Sequence, residues 1–129
     1  MKIDGLFEVA FKVKDLEVSS KFYQEVLGLK KGHYDEKRRW LFLWVGNDNG
    51  MVVLQEDKGS WPRQHFAFRV GENELNGLKE YLESKDIVVE GPVTLGWMNA
   101  VSVYFPDPDG HGLEFGAIRD FKRQRTSRN

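Results

Sequence analysis

With 129 residues, 40% of them hydrophobic, the chain is long enough to bury a real core and is read most simply as one domain. Nineteen Lys and Arg against twenty Asp and Glu leave a net charge of −1, so no overall field favours nucleic acid or an anionic membrane. The absence of cysteine excludes disulfides, thiolate metal sites and cysteine nucleophiles. It also fits a reducing compartment. No apolar run has the length of a signal peptide or membrane span, so a soluble cytoplasmic protein is expected.

The first predicted element is a strand in which Phe7, Val9, Phe11 and Val13 alternate with Glu8, Ala10 and Lys12. Asp15-Leu16-Glu17 opens a helix that carries Leu16, Phe22, Tyr23, Val26 and Leu27 and stops at Gly28. A weaker strand is expected over residues 29–34. Two better ones, 39–45 and 50–56, are joined by the turn Gly46-Asn47-Asp48-Asn49-Gly50. Gly59-Ser60-Trp61-Pro62 reads as a hinge. Beyond it come a strand over 64–70, a helix over 72–84, and strands over 87–90, 100–105 and 112–117, the last two joined by Pro106-Asp107-Pro108-Asp109-Gly110. Arg119, Lys122, Arg123, Arg125 and Arg128 make a basic tail over about 119–129 that is expected to be solvated and frayed.

Each half therefore reads βαβββ, the first over about 5–57 and the second over about 63–118. The halves share a hexapeptide: Glu8-Val9-Ala10-Phe11-Lys12-Val13 returns as His65-Phe66-Ala67-Phe68-Arg69-Val70, 57 positions on. Period two puts Phe7, Val9, Phe11 and Val13 towards the helix, with Glu8, Ala10 and Lys12 on the other face. His65, Ala67 and Arg69 take the equivalent places. Matching Leu54 to Leu113 pairs Gln55 with Glu114. Glu8, Gln55, His65 and Glu114 then form a set of three oxygen donors and one imidazole, which suits Mn²⁺, Fe²⁺, Ni²⁺ or Zn²⁺. Each has a plainer reading: a solvated strand-end carboxylate for Glu8, a hydrogen-bonded core residue for His65, an orienting amide for Gln55. His33 and His111 lie in loop or turn sequence and are expected to be exposed. Asp107 and Asp109 are expected to shape their turn.

Residues 5–117 resemble the vicinal oxygen chelate superfamily. The likeness rests on the strand and helix opening from Phe7 to Glu17, on Phe22-Tyr23 and Leu27-Gly28-Leu29, on His65-Phe66-Ala67-Phe68, and on Asp107 to Glu114. That superfamily includes glyoxalase I, bleomycin-resistance proteins, fosfomycin-inactivating transferases and extradiol dioxygenases. The resemblance implies an α+β fold in which two paired βαβββ modules form a curved mixed sheet around a cleft, in a homodimer. It implies metal ligands at Glu8, Gln55, His65 and Glu114. Glyoxalase I enzymes can use the same inventory, with Gln and Glu exchanged in the first half. Glu8 standing where many members have His breaks the ligand set of a dioxygenase. The fosfomycin enzymes resemble Ser102 to His111, making Ser102 and Tyr104 substrate contacts. Ala10, Glu8 and the missing Lys before Ser102 depart from them.

The function expected is a metal-dependent lyase or isomerase of the glyoxalase type, acting on a small substrate with adjacent oxygens through a metal-stabilised enediolate. Glu114 or Glu8 would move the proton. Lys12 and Arg69 would hold an anionic tail, while Trp40 and Trp44 would line an apolar wall. The alternative is a metal-free protein that sequesters a drug or antibiotic, resembling bleomycin-resistance proteins. It would need the tryptophans rather than the ligand set.

Overall fold

The computed structural model describes residues 1–119, so the basic tail beyond Arg119 lies outside the described residues. The chain divides into two compact units, Met1–Gln64 and a second that begins at His65. Both are α+β and carry a four-stranded mixed sheet.

In the first unit, β1 (Glu8–Val13) leads into α1 (Leu16–Lys21), a π-helical turn (Phe22–Val26), β2 (Lys30–Asp35), β3 (Trp40–Trp44) and β4 (Met51–Glu56). The sheet order is β1-β4-β3-β2, with β1 parallel to β4 and the remaining pairs antiparallel. Asp15 caps α1 by accepting from the Val18 amide at 3.1 Å, and Gly28 ends the helical run at φ 75°. Phe11, Val13, Leu16, Tyr23, Leu41, Leu43, Val52 and Leu54 form the core between sheet and helix, with the Phe11 and Tyr23 rings 5.6 Å apart. Phe7 does not join it: the residue precedes the strand and is 75% exposed.

The second unit repeats the plan with β5 (His65–Arg69), a 3-10 turn (Glu72–Glu74), α2 (Leu75–Ser84), β6 (Glu90–Leu95), β7 (Ala100–Pro106) and β8 (Gly112–Ile118), in sheet order β5-β8-β7-β6. Leu75, Leu82, Val101, Val103, Phe105, Leu113, Phe115 and Ala117 are buried. The Phe105 and Phe115 rings meet at 4.9 Å.

The second unit departs from two further expectations. The strand placed at 87–90 instead runs from Glu90 to Leu95, because residues 85–87 are held to the end of α2, with the Lys85 and Ile87 amides both donating to the Leu82 carbonyl. His111 is wholly buried rather than exposed. Its amide donates to Asp107 Oδ1 at 2.8 Å and its carbonyl accepts from the Asp107 amide at 3.0 Å, which folds the turn inward. His33 is exposed as expected, although it sits on β2 with its ring 5.6 Å from that of Phe42. Asp107 Oδ1 also accepts from the Asp109 amide, so that carboxylate does shape the turn.

Candidate functional site

Strand pairing decides which polar side chains meet. In the second unit β5 lies parallel to β8, with His65 opposite Gly112 and Ala67 opposite Glu114. Since side chains alternate, His65, Ala67 and Glu114 share the face opposite Phe68, Leu113 and Phe115. The antiparallel neighbour β7 adds Tyr104 opposite Glu114 and Ser102 opposite Gly116, on that same face.

The result is a polar cluster on this face of the sheet. His65 Nε2 lies 2.9 Å from Glu114 Oε1, and the Ser102 hydroxyl donates to Glu114 Oε2 at 2.6 Å. The Tyr104 ring stands beside the imidazole, with centroids 6.4 Å apart and planes inclined by 29°. Glu114 is 8% exposed and Ser102 1%, whereas the His65 side chain is 59% exposed. A buried carboxylate thus presents one oxygen to an accessible imidazole while a hydroxyl occupies the other. Among the described residues no buried side-chain nitrogen or oxygen lacks a hydrogen-bond partner.

The donor chemistry of this pair fits a divalent cation. The imidazole nitrogen and the carboxylate oxygen, 2.9 Å apart as a hydrogen-bonded pair, are both donor types that divalent first-row ions accept. His65 and Glu114 are therefore the residues of this unit able to hold a metal, with the Ser102 hydroxyl behind the carboxylate.

The equivalent face of the first unit has different chemistry. Glu8, Ala10 and Lys12 pair with Met51, Val53 and Gln55, and these with Trp44, Phe42 and Trp40. Glu8 occupies the position of His65 and is exposed. Gln55, however, does not occupy the position of Glu114: counted from Glu8 and His65 through the pairing, that place belongs to Val53, which is 1% exposed. The residue of the second unit that corresponds to Gln55 is Gly116. Trp40 and Trp44 do share a face, both half-buried, with Phe42 between them. The Lys12 ammonium is 3.0 Å from Asp57, which occupies one of its donors. Arg69 is exposed on the His65 face.

Among the described residues, three carboxylates outside this cluster, Asp15, Glu17 and Glu56, approach within 4.8 Å of one another. They do not form a vacant cation site, because the Arg39 guanidinium bonds to both Glu17 and Glu56. Sequence reasoning missed Arg39, for which spacing offers no signal.

The family model described as Glyoxalase/Bleomycin resistance protein/Dioxygenase superfamily matches residues 5–115. Metallothiol transferase FosB of Lysinibacillus sphaericus is 30% identical over 129 residues, covering 93% of this chain and 88% of that protein. A crystal structure of an integron cassette protein from the mobile metagenome of the Halifax Harbour sewage outfall superposes with a TM-score of 0.87 at 59% identity, covering 90% of this chain and all of the other. Lactoylglutathione lyase from Agrobacterium tumefaciens has the same fold, at a TM-score of 0.79 and 23% identity over 91% of this chain and 96% of its own.

Proposed function

This chain belongs to the glyoxalase/bleomycin-resistance/dioxygenase superfamily, and from that membership we propose that it is a metal-dependent lyase or isomerase of the glyoxalase type, acting on a small substrate with two adjacent oxygens. The observation that carries the reading is the His65–Glu114 pair, backed by Ser102. His65 Nε2 and Glu114 Oε1 are the proposed ligands within the second module. Glu8 is assigned a ligand role from the first module by its match to His65 in the repeat. Mn²⁺, Fe²⁺, Ni²⁺ and Zn²⁺ all suit these donors. A bound ion would supply Lewis-acid polarisation of the two substrate oxygens.

The chain's own residues supply the rest. Glu8 or Glu114 is the proposed base that moves a proton between neighbouring substrate carbons, Glu8 being the one exposed to solvent. Tyr104 flanks the imidazole and is assigned as a wall. Arg69 is the proposed holder of an anionic substrate tail. Lys12, at the corresponding position of the first module and ion-paired with Asp57, is proposed for the same role. The aromatic row Trp40-Phe42-Trp44 is assigned to apolar parts of the ligand.

The test is metal content by mass spectrometry after reconstitution with each ion. Wild-type protein is expected to hold about one ion per chain, and His65→Ala and Glu114→Ala to lose it, in line with one ion at one ligand set. Wild-type protein without specific metal would sink this reading and leave the metal-free sequestering protein. In that case quenching of tryptophan fluorescence by aromatic ligands should disappear in Trp40→Ala and Trp44→Ala.

A second reading, thiol-group transfer, is favoured by the 30% identity to metallothiol transferase FosB along nearly the whole chain. Ala10, Glu8 and the lack of a Lys ahead of Ser102 weigh against it. Incubation of the metal-loaded protein with a low-molecular-weight thiol and fosfomycin separates the two: an adduct with the summed mass supports transfer, while unchanged fosfomycin leaves lyase or isomerase chemistry.

A further inference from the structure

Ser102 occupies a position that the family resemblance would give to a substrate contact, but its surroundings assign it another task. It is 1% exposed, and its hydroxyl donates to Glu114 Oε2 at 2.6 Å, the length of a charge-assisted hydrogen bond. A carboxylate on a flexible side chain can offer either oxygen, or both, to a cation. Here one oxygen is already engaged from behind, so Oε1 alone faces His65.

Gly116 completes the arrangement. It lies opposite Ser102 across the β7–β8 ladder, and a Cβ at that position would stand 3.2 Å from Ser102 Oγ and 3.6 Å from Glu114 Oε2. A side chain there would crowd the hydroxyl, while the carboxylate oxygen would sit at ordinary contact distance. Because the ladder fixes Ser102 and Gly116 as partners, the hydroxyl and the space it needs are set by one register.

We infer that Ser102 is a positioning residue acting through Glu114: its hydroxyl holds Oε2 so that Glu114 presents Oε1 as a single-oxygen ligand beside His65 Nε2, and Gly116 keeps room for that contact. The inference rests on the proposed metal role of His65 and Glu114. Groups that orient a metal ligand in this way typically change affinity by roughly 10- to 100-fold when removed.

Two measurements test it, one of them independent of any metal. In metal-free, ¹⁵N-labelled protein, the His65 ring nitrogens report the contact with Glu114 Oε1. Ser102→Ala is expected to shift them, because the carboxylate is released to rotate, while Val103→Ala, a cavity on the opposite face of the same strand, is expected to leave them in place. In Mn²⁺ and Zn²⁺ titrations Ser102→Ala is expected to bind about 10- to 100-fold more weakly, and Val103→Ala close to wild type even where both melt at the same reduced temperature. Gly116→Ala should weaken binding while the hydroxyl is present and add little in the Ser102→Ala background.

Wild-type ring shifts and wild-type affinity in Ser102→Ala would overturn the inference. So would equal losses in Ser102→Ala and Val103→Ala at matched stability, which would make the hydroxyl a packing group only. If wild-type protein takes up no metal, the functional reading fails, and the ring shifts alone decide whether Ser102 holds Glu114.

Discussion

Arg39 has a φ of 61°, a left-handed backbone that long side chains rarely adopt, and the contacts of its guanidinium explain why it is held there. Nη2 donates to both oxygens of Glu17, Nε and Nη2 donate to Glu56, and Nη1 donates to the Tyr34 hydroxyl at 2.9 Å. Glu56 Oε2 also accepts from the Leu16 amide, so the same carboxylate tethers the first turn of α1. The Arg39 hydrogen bonds, followed by the Leu16 amide, hold the Glu56 carboxyl down from 4.5 to about 2. The same carboxylates raise Arg39 above its ordinary value. A carboxyl depressed by folding contributes stability that is full above its unfolded value and fades as pH falls through the folded one. Thermal melts should therefore lose this contribution between about pH 4.5 and pH 2. In Arg39→Ala the melting temperature should be lower at neutral pH and should fall less steeply across that window; an acid profile parallel to wild type would contradict the assignment. None of this network could be read in advance, because one Arg at the start of a strand carries no periodicity. Glu8, His65 and Glu114 could be nominated from the hexapeptide repeat and from the turn before Glu114. The Ser102–Glu114 bond depends on the β7–β8 register, which hydrophobic alternation leaves open.

Strands announced themselves where alternation was clean and were misplaced where it was not. Residues 40–44 and 51–56 alternate or run apolar, and they form β3 and β4 close to the expected bounds. Glu90 to Leu95 contains Gly91 and Pro92, which resemble loop sequence, yet it pairs as an edge strand by shifting register between Glu90 and Val93. Gly91 makes that bulge possible: its φ is 109°, and a Cβ there would approach the Ser102 carbonyl oxygen to 2.8 Å. Gly91→Ala should cost about 1–3 kcal/mol in denaturant unfolding, from the strained backbone and the clash together. Because the clash falls on Ser102 itself, its metal affinity should drop further than that of Val103→Ala at equal stability. An Ala variant as stable as wild type would show that β6 can pair without the bulge. The pairing of Gln55 with Glu114 failed for a related reason. It matched Leu54 to Leu113, 59 positions apart, whereas the ladders set Val53 opposite Ala10 and Glu114 opposite Ala67, 61 positions apart.

At the scale of the whole molecule the repeat is what made the chain readable: it pointed to two βαβββ units with a hinge at residues 59–62, and the compact units divide after Gln64. That the units unfold together as one domain, and that the protein is a homodimer, are proposals. One calorimetric transition and a light-scattering mass near twice 15.0 kDa would agree with them. Two separate transitions would mean two domains. No helix among the described residues is long and apolar enough to cross a membrane. The two copies are 57 positions apart at their first strands, Glu8 to His65, but 61 apart at the strands paired with them, Met51 to Gly112. Most of the additional residues lie in the helical segment, 72–84 against 16–26, and in the connection that follows it, 85–89 against 27–29, while both units keep the same order of pairing. Insertions and deletions have therefore been absorbed where the chain winds and turns. A single residue gained between Gly112 and Glu114 would instead rotate the carboxylate through to the apolar side and leave His65 facing a methyl-bearing neighbour. In a lineage of such sequences, gaps should crowd into residues 70–99 and avoid 112–116, so the positions of tolerated length change map the chemistry without any assay.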